Sequence, residues 1–106
     1  MGLFDFWKRP DINEGVRSFE QTKGAMLLDV RSRSEYASGH IPQSQNLPLQ
    51  EIDNVAQKVS SKAVPLYVYC MSGARSAQAE VRLRELGYVN VHNIGGIGHY
   101  TGKLEG

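Results

Sequence analysis

The sequence predicts an α/β domain, with a central parallel sheet of four to five strands and helices on both faces. Short continuous apolar runs, of the kind expected of parallel strands covered on both sides, alternate with segments of helical periodicity. The connections between them are short, which favours right-handed crossovers within one sheet. At 106 residues the chain is about the size of one compact domain and too short for two independent cores.

Asp11-Ile12-Asn13-Glu14 places a capping carboxylate before a glutamate three positions on, and Ile12, Val16 and Phe19 follow on one helical face. This is a first helix, weakened by Gly15 and closed near Gly24. Residues 25–30 form an apolar run that reads as a buried strand and delivers Asp29 and Arg31 at its carboxyl end. Ser32-Arg33-Ser34-Glu35 is a second capping-box pattern, opening a short helix through Tyr36, with Gly39 where a left-handed stop is needed. His40-Ile41-Pro42 is extended because of its proline. Residues 44–47 add a brief strand, and residues 50–59 read as a helix with Ile52, Val55, Ala56 and Val59 on one face.

Residues 64–69 are β-branched and aromatic, so they form the central strand, with Pro65 tolerated at its start and Cys70 at its carboxyl end. Residues 76–86 give the clearest helix, with Ala79, Leu83 and Leu86 inward, Glu80 and Arg84 paired across a turn, and Gly87 as the stop. Residues 89–94 return as the last strand. Ligands of such sheets bind beyond the carboxyl ends of the strands, where Cys70, Asp29 and Arg31 all fall.

A formal charge of +1 provides no broad footprint for nucleic acid or anionic lipid, so neither is an expected partner. One cysteine makes no intramolecular disulfide, and a small secreted domain without bridges is unusual, which points to the cytoplasm. The amino terminus lacks a basic segment ahead of a long apolar run and so does not read as a signal peptide. Phe6 stands where a myristoylation motif needs Ser or Thr. Residues 1–10 read as an extension whose Leu3, Phe4, Phe6 and Trp7 dock on the domain or contact a partner, and residues 11–106 as the folded unit.

Cys70-Met71-Ser72-Gly73-Ala74-Arg75 lies between a buried strand and a helix amino terminus, where backbone N–H groups lack helical partners. The helix dipole and the Arg75 guanidinium both favour a thiolate there, and Gly73 lets the backbone bend around the sulfur. Taken alone, however, a cysteine at a strand end is an ordinary small hydrophobe.

The whole pattern resembles the single-domain rhodaneses. The resemblance runs from about residue 25 to 102: Leu28-Asp29-Val30-Arg31 with Glu35-Tyr36, Gly39-His40-Ile41-Pro42, Asn46-Leu47-Pro48-Leu49, Val68-Tyr69-Cys70-Met71-Ser72-Gly73-Ala74-Arg75-Ser76, Leu86-Gly87-Tyr88 and Asn93-Ile94-Gly95-Gly96. It implies that residues 11–106 are a rhodanese-like domain and that Cys70 is the nucleophile of a sulfurtransferase. Cys70 would take sulfane sulfur from a donor such as thiosulfate, hold it as a persulfide, and pass it to a thiol or cyanide acceptor or to a protein acceptor. Met71, Ser72, Gly73, Ala74 and Arg75 would then form the active-site and substrate-binding loop, with the amides of 71–75 as its cradle. A persulfide carrier serving a partner protein is the alternative the same residues allow.

The family also contains phosphatases and arsenate reductases, whose loops hold one residue more between cysteine and arginine and so fit a tetrahedral oxyanion. Here four residues separate Cys70 from Arg75, which favours sulfur. A thioredoxin-type mechanism needs a second cysteine where Gly73 stands. Asp29, Arg31 and Glu35 are expected to lock the loops around the site by paired hydrogen bonds rather than to touch the substrate. His40 is expected to be structural. His92 and His99 lack ligand spacing, so no metal is expected, and no cofactor. Gly95-Gly96 is expected to shape the pocket rim. Two departures bear on that rim: the family's usual tryptophan after the double glycine is replaced by Ile97-Gly98-His99-Tyr100, and Met71 and Ser72 bring no charge into a loop that some thiosulfate-specific members make basic.

Overall fold

The computed structural model describes residues 10–106, so the expectations for the aromatic residues of the amino-terminal extension lie outside the described residues. In chain order the elements are helix α1 (Ile12–Gln21), strand β1 (Met26–Asp29), helix α2 (Arg33–Ser38), strand β2 (Ser44–Asn46), a 3-10 segment (Leu49–Gln57), strand β3 (Leu66–Cys70), helix α3 (Ala74–Glu85), strand β4 (Val91–Gly96) and a 3-10 turn (Ile97–His99). The four strands are all parallel, in the order β2-β1-β3-β4. Among the described residues no helix is long and apolar enough to cross a membrane.

Side chains alternate across a strand, and here the alternation fills two separate cores. Leu28, Leu66, Val68 and Cys70 face one side, where they meet Ile52 and Val55 of the 3-10 segment and Ala79 and Leu83 of α3. Leu27, Tyr67 and Tyr69 face the other, against Ile12, Val16 and Phe19 of α1 and Ile94 of β4. Every residue of β3 is therefore buried, as a central strand covered on both faces requires.

Asp11 caps α1, its carboxylate accepting from the Asn13 N–H at 3.0 Å. Gly15, a weak point by propensity, has a packing reason, because a Cβ there would lie 2.3 Å from the Ile94 Cβ. Helix α2 has the complete capping box: the Ser32 hydroxyl accepts from Glu35 N–H at 3.2 Å and the Glu35 carboxylate from Ser32 N–H at 2.9 Å. Gly39 closes it at φ +154°, ψ 130°, which is not the left-handed helical stop expected from sequence.

Three other expectations shift. The segment read as a helix over 50–59 is a 3-10 helix, and its three-residue turn buries Ile52 and Val55 while turning Ala56 outward. Helix α3 begins two residues earlier, at Ala74, because Gly73 at φ +104° turns the chain directly from the loop into the helix. Strand β4 runs to Gly96 rather than ending at Ile94, and Val89 lies before it, 72% exposed.

Candidate active site

Strand β3 ends at Cys70, and the chain turns through Met71, Ser72 and Gly73 into α3, so the first-turn N–H groups of that helix point back at the strand end. The Cys70 sulfur accepts a hydrogen bond from Gly73 N–H at 3.0 Å and from Ser76 N–H at 3.4 Å. The Ser76 hydroxyl lies 3.4 Å from it as well. Burial alone pushes the thiol up, but the Ser76 hydroxyl and the amides of Ser76, Gly73 and Ser72 outweigh it, and the Cys70 pKa falls below its ordinary value.

This differs from the sequence expectation in two respects. The cradle is made less by the whole run of 71–75 amides than by Ser72, Gly73 and Ser76. Among the described residues the amides of Met71, Ala74 and Arg75 make no bond to the sulfur. Arg75, expected as the loop's cation, turns its guanidinium to Glu35 in a bidentate pair of 2.8 and 3.1 Å, which leaves it behind the loop hydrogen bonds as a stabiliser of the thiolate. The same pair, first, and the Ser32 N–H, second, hold the Glu35 carboxyl down at about 2. Helix α2 is thereby fastened to the first turn of α3, beside the sulfur.

Asp29 and Arg31 are fully or almost fully buried at the end of β1. Arg31 donates to Asp29 Oδ2 from Nε and Nη2 at 3.0 and 2.7 Å, and from Nη2 to the Gly39 carbonyl at 2.7 Å. Asn46 Nδ2 adds bonds to the carbonyls of Asp29 and Arg31 at 3.0 and 2.9 Å. These contacts hold the end of β1, the Gly39 turn and β2 together without touching the sulfur. His40 stacks on Tyr36 at 3.8 Å and binds the Tyr36 carbonyl through Nδ1, while its backbone bridges to Glu105.

From the other side, β4 supports the loop. Its register with β3 slips after Val68, so that Asn93 faces Val68, Gly95 faces Tyr69 and Gly96 faces Cys70. A Cβ on Gly96 would lie 2.4 Å from the Met71 carbonyl oxygen, and the Gly98 N–H donates to that oxygen at 3.2 Å. Ser72, Gly73, Asn93, Gly95, Gly96 and His99 line part of a groove of about 460 Å³, closed on its far side by the start of α1. Gly95 and Gly96 do shape a rim. A larger recess of about 710 Å³ near Arg33, Asn46 and Gln57 has none of the loop residues in its wall.

Two residues of this site escape sequence reasoning. Ser76 stands inside the matched motif but reads as an ordinary first-turn residue, and Asn93 as a strand residue. Their meeting, Ser76 hydroxyl to Asn93 Oδ1 at 2.7 Å, joins α3 to β4. The signal that was available is the pairing of a polar residue with the double glycine, since Asn93 Oδ1 also accepts from Gly95 N–H at 3.0 Å.

A family model described as the rhodanese-like domain matches residues 14–102. The chain is 38% identical over 71 residues to the thiosulfate sulfurtransferase PspE of Escherichia coli K12, covering 66% of this chain and 68% of that one. It is 33% identical over 82 residues to the Bacillus subtilis protein YqhL, covering 76% of this chain but only 64% of that relative's length. The solution structure of a rhodanese-like domain from an Anabaena protein superposes with a TM-score of 0.79 at 28% identity, covering 93% of this chain and 80% of that one.

Proposed function

This chain belongs to the rhodanese-like domain family, and from that premise we propose that it is a sulfurtransferase working through a persulfide on Cys70. The observation that carries the proposal is a buried sulfur ringed by the N–H groups of Gly73 and Ser76 and the Ser76 hydroxyl, at the carboxyl end of the central strand. Such a ring favours the thiolate, the form that attacks. With thiosulfate as donor, the Cys70 thiolate bonds to the sulfane sulfur, the donor's S–S bond breaks, and sulfite leaves with the electron pair. The terminal sulfur of the resulting persulfide is anionic, so N–H donors of the loop would stabilise it as they do the thiolate. An acceptor such as cyanide or a thiolate then bonds to that terminal sulfur, the persulfide bond breaks, and its electrons return to Cys70 as a thiolate.

The short loop and the orientation of Arg75 favour sulfur over a tetrahedral oxyanion, because the guanidinium that would clamp an oxyanion is held by Glu35. Met71, 44% exposed at the loop, favours a second reading in which an apolar or protein-borne thiol is the acceptor and the domain acts as a persulfide carrier.

Intact-mass measurement tests the proposal. Treatment with thiosulfate or a polysulfide in the absence of acceptor should add one sulfur atom, and cyanide should remove it. Cys70→Ser should show neither change while keeping the fold. Failure to gain sulfur from either donor, together with aryl phosphate hydrolysis through Cys70, would overturn it. Discharge to a protein acceptor but not to small thiols or cyanide would select the carrier reading.

A further inference from the structure

The Ser76 hydroxyl is fully buried and carries one proton, yet three acceptors surround it: Asn93 Oδ1 at 2.7 Å, the Gly73 carbonyl at 3.1 Å and the Cys70 sulfur at 3.4 Å. Asn93 cannot reverse its role. The Gly95 N–H at 3.0 Å requires an acceptor, which keeps Oδ1 on that side, while Nδ2 donates to the Gly73 carbonyl at 3.3 Å. Asn93 can therefore only accept from Ser76, and it competes with the sulfur.

Building on the sulfurtransferase reading of Cys70, we infer that Asn93 is a positioning residue for sulfur transfer: it holds the Ser76 proton while the sulfur is uncharged and releases it to the sulfur when the sulfur is anionic. An uncharged sulfur is a poor acceptor, so a thiol or a persulfide-bonded Cys70 leaves the hydroxyl on Asn93. When the acceptor takes the terminal sulfur, the persulfide bond breaks and its electron pair stays on Cys70. A charged acceptor then draws the hydroxyl over. Asn93 Oδ1 keeps its bond from Gly95 and is not left bare, so the swing costs little. The ring thus offers a further donor to Cys70 at the moment Cys70 becomes the leaving group.

Among the described residues, the charged and titratable groups around the loop are Arg75 of α3, paired with Glu35 of α2, Asp29 at the end of β1, and Asp11 at the start of α1 and His99, which both line the groove. None is altered by changing Ser76 or Asn93. The test is the pH dependence of iodoacetamide alkylation of Cys70 on the whole chain without a sulfur donor, which separates it from the mass test above. Ser76→Ala should raise the midpoint by about one unit, because it removes a donor to the thiolate. Asn93→Ala should lower it by about half a unit, because it removes the competitor. In the double variant the Asn93 effect should vanish.

Asn93→Asp keeps the acceptor for Ser76 and Gly95 and strengthens it. It should raise the midpoint, and by more with Ser76 present than with Ser76→Ala. An upward shift or none in Asn93→Ala, or equal shifts from either Asn93 variant with and without Ser76, would overturn the inference. If Asn93→Ala does not fold, Asn93→Asp decides it alone.

Discussion

Residue by residue, the site is built from small hydrogen-bond competitions more than from net charge. The clearest titratable case away from the sulfur is Glu35, whose carboxyl is held at about 2, first by the Arg75 guanidinium and then by the Ser32 N–H. A carboxylate with a lowered folded pKa contributes stability that is complete above its ordinary value and is lost as pH falls through the folded one. Wild type and Glu35→Gln should therefore differ in melting temperature above about pH 4.5 and converge toward about pH 2. The pair is about one-third exposed, so the gap should be modest, about 2–5 °C. Gln retains the capping acceptor for Ser32, so the difference isolates the ion pair. A gap that persists unchanged to pH 2 would mean that Glu35 acts through shape alone. Cys70, Gly73 and Glu35 were legible because their local motifs state their backbone roles. Ser76 and Asn93 were not, because their roles arise only where α3 meets β4. Arg75 was legible as part of the motif, but its partner came from a different element.

Among the elements, the strongest local signals were readable: the buried strand β3, the capped starts of helices α1 and α2, and the body of α3 with Gly87 at φ +102° just beyond it. The segment Leu49–Gln57 was not, since Ile52, Val55, Ala56 and Val59 satisfy both a helical face and, through Ile52 and Val55, a three-residue turn. Tertiary attachment decides between them. The Leu47 and Leu49 N–H groups bond the carbonyls of Asp29 and Val30, so the segment starts against the end of β1 and presents Ile52 and Val55 to the α3 side of the sheet. A measurable consequence separates the two geometries. Val55→Ala should cost about 2 kcal/mol in urea unfolding. Ala56→Lys should stay within about 0.5 kcal/mol, since Ala56 is on the exposed face. Comparable losses in both would restore the α-helical face that periodicity suggests.

For the molecule as a whole, the order β2-β1-β3-β4 puts the cysteine at the end of an interior strand, with β1 and its buried Asp29–Arg31 pair on one side and β4 on the other. The loop after Cys70 is therefore wedged between independently anchored neighbours, and its geometry depends on β4 as much as on its own sequence. Gly96 is the place to test this. A Cβ there would meet the Met71 carbonyl oxygen at 2.4 Å and the Ser72 Cα at 2.7 Å, both of them backbone, so the loop itself must move. A displacement of this kind pulls the Gly73 and Ser76 donors away from the sulfur while leaving both cores intact. Gly96→Ala should accordingly raise the alkylation midpoint of Cys70 and slow persulfide loading by about ten- to a hundredfold. Gly102→Ala is the control, because its Cβ would meet the ring and hydroxyl of Tyr100, a side chain, and no backbone atom of the loop. Its loading rate should stay within about twofold of wild type. If Gly96→Ala folds, keeps its alkylation profile and loads sulfur at the wild-type rate, then the loop holds its own shape and β4 is only a wall.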